Sequence, residues 1–193
     1  IALVNFKLRH ICVFSIKKIM KMRKNIVFLG MMGSGKTSIG TMVSKKLGLD
    51  FYDVDQSIEK EQNLSVSKIF KINGEKFFRQ LEEKTTLNIL KKDNIVISLG
   101  GGAFLNKNVR NEILSNHTSF WLKCDADVII KRLKNNTKRP LAINLTRNDF
   151  MNLLKKRSKI YSKAMYNIDC DNLTKKEIVK KILSIYEPNK ISS

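Results

Sequence analysis

The octapeptide Gly30-Met31-Met32-Gly33-Ser34-Gly35-Lys36-Thr37 constrains this chain more than any other stretch. It fits GxxxxGK[ST] in full, after the apolar run Ile26–Leu29 and ahead of a helical pattern over Lys36–Leu47. The chemistry requires that context. Glycines let the backbone wrap an anion with its N–H groups turned inward, the lysine reaches the β- and γ-phosphates, and the final hydroxyl ligates Mg²⁺. The helix then presents its positive N-terminal end to the same charge. Gly33, Ser34, Gly35, Lys36, Thr37 and Ser38 are therefore the expected nucleoside triphosphate site, with Thr37 on the metal.

The rest of the chain supplies a scaffold for such a loop. Apolar runs at Ile26–Leu29, 51–53, 95–99, 118–122 and Tyr166–Asp169 alternate with helical spacing over Lys36–Leu47, 65–90, Ala126–Lys134, 149–163 and Lys175–Tyr186. Strand–helix alternation predicts an α/β domain with a parallel sheet. A length of 193 residues suits one such domain with a sizeable core. No apolar run is long enough to predict a membrane span.

Charge and cysteine usage narrow the setting. The net charge of +20 favours anionic partners. No Arg-rich helix, RNP-like aromatic motif or zinc finger accompanies it, so specific nucleic-acid recognition is not expected. Cys12, Cys124 and Cys170 lack CxxC spacing, which predicts neither a disulfide framework nor a zinc site and fits a reducing, cytoplasmic compartment. The first 49 residues hold ten Lys or Arg and no acid. Residues 1–21 read as an extension before a natural start at Met22, with an organelle transit peptide as the alternative. The domain is then expected over residues 22–193.

Several nucleotide-binding classes fail on their own motifs. A GTPase switch needs DxxG, which is absent, and NKxD, whose nearest match, Asn106-Lys107-Asn108-Val109, lacks the acid. A motor or transport ATPase would place an acid at the end of a long apolar strand. Here the run 95–99 leads into Gly100-Gly101-Gly102 instead. A short chain with a basic, Pro140-containing loop over 135–147 fits a small-molecule kinase better.

Other stretches remain ambiguous from the residues alone. In FYDVDQSIEKE (51–61), Asp53 and Asp55 share one side if the chain is extended, and their carboxylates then repel. Alternatively the strand ends at Asp53 and Asp55 caps a helix starting near Ser57. Arg79 and Glu82 are spaced as a functional pair or as an i,i+3 surface pair. Phe70 and Phe78 are pocket walls or plain core. Gly100–Gly102 form a turn or a backbone brought close to a ligand.

Taken in order, the Gly30–Thr37 loop, Asp53-Val54-Asp55, Phe78-Arg79-Gln80-Leu81-Glu82, Gly100-Gly101-Gly102 and Arg139-Pro140-Leu141 resemble the shikimate kinase family of P-loop proteins, over about residues 22–187. The resemblance implies a three-layer α/β/α fold of the nucleoside monophosphate kinase type, with a five-stranded parallel sheet and a mobile lid at 135–147. It implies ATP-dependent phosphorylation of the 3-hydroxyl of shikimate, giving shikimate 3-phosphate and ADP in aromatic amino-acid synthesis, with Mg²⁺ as cofactor.

It also assigns roles. Asp53 steadies the metal through water, and Asp55 grips the substrate hydroxyls and orients or deprotonates the attacking one. Arg79, held by Glu82, and Arg157 meet the carboxylate, as planar, permanently charged forks suit it. Gly101 and Gly102 approach the substrate, with Phe70 and Phe78 as walls. Arg132 packs on adenine, and Arg139 closes with Lys36 on the transferred phosphate. Ala142 stands where the family usually has Leu, and Cys170-Asp171-Asn172 falls in the loosely patterned adenine region. The alternatives are a small-metabolite kinase with another acceptor and a catalytically silent binding protein. A monomer without membrane attachment is expected.

Overall fold

The computed structural model describes residues 25–134 and 146–186. Five strands run β1 Ile26–Leu29, β2 Asp50–Asp53, β3 Ile95–Ser98, β4 Thr118–Lys123 and β5 Tyr166–Asp169. They form one sheet in the order β2-β3-β1-β4-β5, and all four pairings are parallel. β1 and β3 are buried along their whole length, as strands covered on both faces must be.

Among the described residues, seven helices complete the three layers: α1 Lys36–Leu47, α2 Val54–Gln62, α3 Val66–Leu90, α4 Lys107–Asn116, α5 Ala126–Lys134, α6 Arg147–Tyr161 and α7 Lys175–Tyr186. A 3₁₀ turn at Ala103–Leu105 precedes α4. α1 packs on β2 and β3 and against α7, while α3, α4, α6 and the 3₁₀ turn pack together on the other side. Phe28, Val27, Val96, Ile97 and Phe120 fill the centre with no exposed surface. Asn25, 1% exposed, ties the layers below the sheet: its amide donates to the Leu90 and Lys92 carbonyls and accepts from the Ile95 N–H.

Three local readings need correction. β2 ends at Asp53, as the alternative reading has it, but α2 begins at the next residue rather than near Ser57, so Asp53 and Asp55 do not share one side of an extended strand. The cap also falls on a different residue: Asp53 accepts from the Gln56 N–H, whereas Asp55 lies in the first helical turn. The helical pattern 65–90 is capped by Ser65 and broken at Gly74, whose φ of 79° and ψ of 172° interrupt the helix. α6 starts at Arg147 rather than 149, because Thr146 and Asp149 form a reciprocal capping box.

Candidate active site

Every strand of an open parallel sheet delivers its following loop to the same edge, and ligands of such folds sit there. Gly30–Lys36 leaves β1, Asp53 ends β2, and Leu99–Gly102 leaves β3. The anion loop has the conformation its motif predicts. Gly30 (φ 142°), Gly33 (φ 81°) and Gly35 (φ 95°) adopt backbone angles unfavourable to other residues. Gly35 is the N-cap of α1, so the helix terminus opens directly into the loop. Lys36, 7% exposed, folds its ammonium over the loop and donates to the Gly30 and Met31 carbonyls at 3.0 and 2.9 Å.

The donor set fits a phosphate–metal group. The Thr37 hydroxyl donates to Asp53 Oδ2 at 2.7 Å, so a hydroxyl and a carboxylate oxygen meet beside the first turn of α1. Such hard oxygen ligands suit Mg²⁺. Ser34 Oγ is buried within the cradle with no hydrogen-bond partner, which is consistent with a place for a phosphate oxygen. Ser38 is exposed at the rim, where Lys175 Nζ approaches its hydroxyl at 3.5 Å.

The three glycines after β3 reveal the second half of the site through what surrounds them. A methyl group at Gly100 would lie 2.3 Å from Glu82 Oε1 and 2.6 Å from Asp55 Oδ1. At Gly102 it would lie 2.2 Å from Arg79 Nη1, and at Gly101 it would touch Arg157 Nη1 at 3.4 Å and the Met32 nitrogen at 3.6 Å. Asp55, Glu82, Arg79 and Arg157, from three helices, therefore converge on one short backbone segment that itself abuts the anion loop.

Their electrostatics follow from burial. Arg79 donates to Glu82 Oε2 at 2.7 Å and through Nε and Nη2 to Glu75 Oε1 at 3.2 and 3.0 Å. Its guanidinium stands 5.7 and 5.4 Å from the ring centroids of Phe70 and Phe78. Phe78 is buried, and the two rings lie 4.5 Å apart, so they are both core and wall. Burial opposes the Arg79 cation, but Glu82 and Glu75 reverse this and hold its pKa above the usual arginine value. Burial pushes the Glu82 carboxyl up, Arg79 pulls it back, and the neighbouring Asp55 charge raises it further.

Arg157 reaches the same segment at Gly101, next to the Gly102 that Arg79 crowds. Its Nη1 approaches Met31 Sδ at 3.8 Å, and its buried Nε has no hydrogen-bond partner. One turn further along α6, Tyr161 donates to the Gly101 carbonyl and reaches Met31 Sδ at 3.9 Å. Burial raises the pKa of this phenol, so it acts as a neutral donor. Tyr161 and Met31 are thus structural members of the site; the sequence groups Tyr161 with Arg157 on one helix at i,i+4 spacing but gives neither Tyr161 nor Met31 a role of its own.

Arg132 projects from α5 to the opposite end, with Nη1 3.4 Å from the Gly33 carbonyl and 3.9 Å from Cys124 Sγ. Arg132 thus stands beside the anion loop. Arg139 and the expected lid at 135–147 fall almost wholly outside the described residues, as do residues 1–21. Among the described residues, no helix is long and apolar enough to cross a membrane.

The family model for shikimate kinase matches residues 32–187. Among curated proteins, the chain is 42% identical to a shikimate kinase of Thermodesulfovibrio yellowstonii, over 85% of this chain and 95% of that one. It is 39% identical to a shikimate kinase of Bartonella quintana, over 83% and 79%. Among solved structures, a shikimate kinase of Acinetobacter baumannii in complex with shikimate superposes with a TM-score of 0.82 at 27% identity, covering 91% of this chain and 99% of that one. The Aquifex aeolicus shikimate kinase does so at 0.73 and 34%, covering 88% and 99%. A gluconokinase of Sinorhizobium meliloti, at 14% identity and a TM-score of 0.52, shares the fold alone.

Proposed function

Since the chain belongs to the shikimate kinase family, we propose that the four side chains around Gly100–Gly102 bind shikimate and that the Gly30–Thr37 loop delivers the phosphoryl group. The enzyme is an ATP-dependent shikimate kinase. The observation that carries the residue assignments is the convergence of Asp55, Glu82, Arg79 and Arg157 on one segment that touches the anion loop.

Charge divides the pocket. Arg79 and Arg157 offer two guanidiniums for a carboxylate, and the unpartnered Arg157 Nε is a donor ready for one of its oxygens. Glu82 fixes the Arg79 fork so that little freedom is lost on binding. Asp55, beside Gly100, meets the hydroxyls and takes the proton of the one attacked, which the family's chemistry makes the 3-hydroxyl. Lys36 exchanges its two backbone carbonyls for phosphate oxygens and neutralises charge as the phosphoryl group moves. Thr37 and Asp53 are the residues that would hold Mg²⁺, which neutralises the β- and γ-phosphate oxygens when bound.

Arg132 takes the adenine side, and Arg139, outside the described residues, is assigned to the transferred phosphate. Residues 22–193 hold the catalytic domain, working as a cytoplasmic monomer without a nucleic-acid partner. Coupled ADP-release kinetics test this reading. ADP release should depend on shikimate and Mg²⁺ together. Equal turnover with gluconate or a nucleoside monophosphate, or none with shikimate, would remove the substrate assignment.

A further inference from the structure

The nucleotide side of the fold contains a feature that phosphoryl transfer does not use. Lys123 and Asp169 are partners at the ends of the parallel strands β4 and β5. The last bond of that ladder runs from the Cys170 N–H to the Lys123 carbonyl at 2.9 Å. Cys124 and Cys170 are the next residues in the two chains, one step beyond the last pair. Neighbouring strands lie about 4.8 Å apart, inside the Cα separations of about 4.4–6.8 Å that disulfides span. Both are free thiols, 5% and 0% exposed.

The pair also touches the nucleotide machinery. Cys124 Sγ donates to the Ser34 carbonyl at 3.7 Å, within the anion loop, and accepts from Arg132 Nη1 at 3.9 Å. The thiol is thereby placed under the loop and beside the residue proposed for adenine. We propose that Cys124 and Cys170 form a disulfide when a hydroperoxide reaches them, and that this oxidation weakens nucleotide binding.

The two thiols are unequal. The neighbouring Cys170 thiol and the Arg132 charge lower the Cys124 pKa, despite burial, whereas Cys124 and burial push up the Cys170 thiol, which donates to the Ile168 carbonyl at 3.3 Å. Cys124, the less buried of the two, is therefore the attacking group. Its thiolate forms an S–O bond as the peroxide O–O bond breaks; sulfur is oxidised to the sulfenic acid, and the peroxide is reduced and leaves as hydroxide. The Cys170 sulfur then attacks Cys124 sulfur, its proton joining the departing hydroxyl as water while the S–S bond replaces S–O. Two thiols and one hydroperoxide molecule end as one disulfide and two waters, or water and an alcohol. Turning Cys124 toward Cys170 takes its sulfur from the Ser34 carbonyl and from Arg132.

The thiol chemistry stands independently of the proposed substrate, while the consequence for ATP rests on the nucleotide site proposed above. The full-length protein is treated with hydrogen peroxide, digested without reductant and mapped by mass spectrometry, and ADP affinity is measured before and after. The expected result is a peptide pair joined through Cys124 and Cys170, an ADP Kd raised about five-fold, the change expected for one lost hydrogen bond, and recovery of both with dithiothreitol. Cys170→Ala should abolish the joined pair, because the Cys124 sulfenic acid then has no neighbouring thiol to resolve it. Absence of the pair in the wild-type map, a crosslink through Cys12 instead, or a joined pair with unchanged ADP affinity would each overturn the proposal.

Discussion

Gly102→Ala is the sharpest probe of the glycine segment, because its effect is steric and not conformational. Gly102 has φ −105° and ψ −21°, angles open to alanine. The added methyl would stand 2.2 Å from Arg79 Nη1 and 2.7 Å from Cζ. Ordinary contact needs about 3.5 Å, so the guanidinium must retreat by roughly 1.3 Å. Its bond to Glu82, now 2.7 Å, then stretches to about 4 Å, past the range of a hydrogen bond.

One charge-assisted bond is worth about 1.5–3 kcal/mol, and the lower end applies because Arg79 remains 36% exposed. The expected outcome is a rise of about ten- to thirty-fold in the KM for shikimate, at 1.4 kcal/mol per factor of ten. The KM for ATP should change less than about two-fold. Gly101→Ala, whose methyl would meet Arg157 at an accommodating 3.4 Å, is the control and should be milder. Steady-state kinetics with each substrate varied decide the matter. An unchanged shikimate KM in Gly102→Ala, or an equal loss for both substrates, would refute the placement of Arg79.

Three further outcomes are expected. Asp55→Asn should lower shikimate turnover by about two or more orders of magnitude while α2 and nucleotide binding survive, since Asp53 is the helix cap; circular dichroism and kinetics check this. Tyr161→Phe removes the donor to the Gly101 carbonyl at constant shape and should raise the shikimate KM about three- to ten-fold with ATP little affected, read from the same two-substrate kinetics. Burial raises the Glu82 pKa above 4.5, so the folded state binds that proton more tightly than the unfolded chain. Its contribution to stability is complete below 4.5 and is lost as pH rises through the shifted value, and Glu82→Gln should flatten the melting temperature against pH in that window.

The parallel sheet and the anion loop were legible because each rests on local pattern: five apolar runs, and glycines with Lys36 and Thr37 at fixed spacing. What escaped was set by neighbours distant in sequence or by single backbone angles. Asp53-Val54-Asp55 reads as extended, but the strand stops once its pairing with Ser98 ends, and the helix begins at once. α4 is too polar to show a strong apolar stripe and is defined by its Asn106 cap and buried Val109 and Ile113. Gly74 looks like any glycine in a helical pattern until its φ is known. The roles of Arg79, Glu82 and Arg157 came from motif resemblance; that all three crowd the same glycines is a packing fact no spacing encodes.

The central position of β1 has a consequence for how the chain comes off the ribosome. Its partners are β3 and β4, with Ile26 beside Val96 and Thr118. Ile26 thus emerges on the order of five to twenty seconds before Thr118 at ~5–20 residues per second. Gly30 is also completed by what comes late: the space beside it is closed by the Leu122 carbonyl, 2.8 Å from where a methyl would sit. The first functional segment to be synthesised can pair on one side with β3 but waits for β4 to be flanked on both. A nascent chain released before Leu122 carries the full phosphate motif yet has no architecture to hold it.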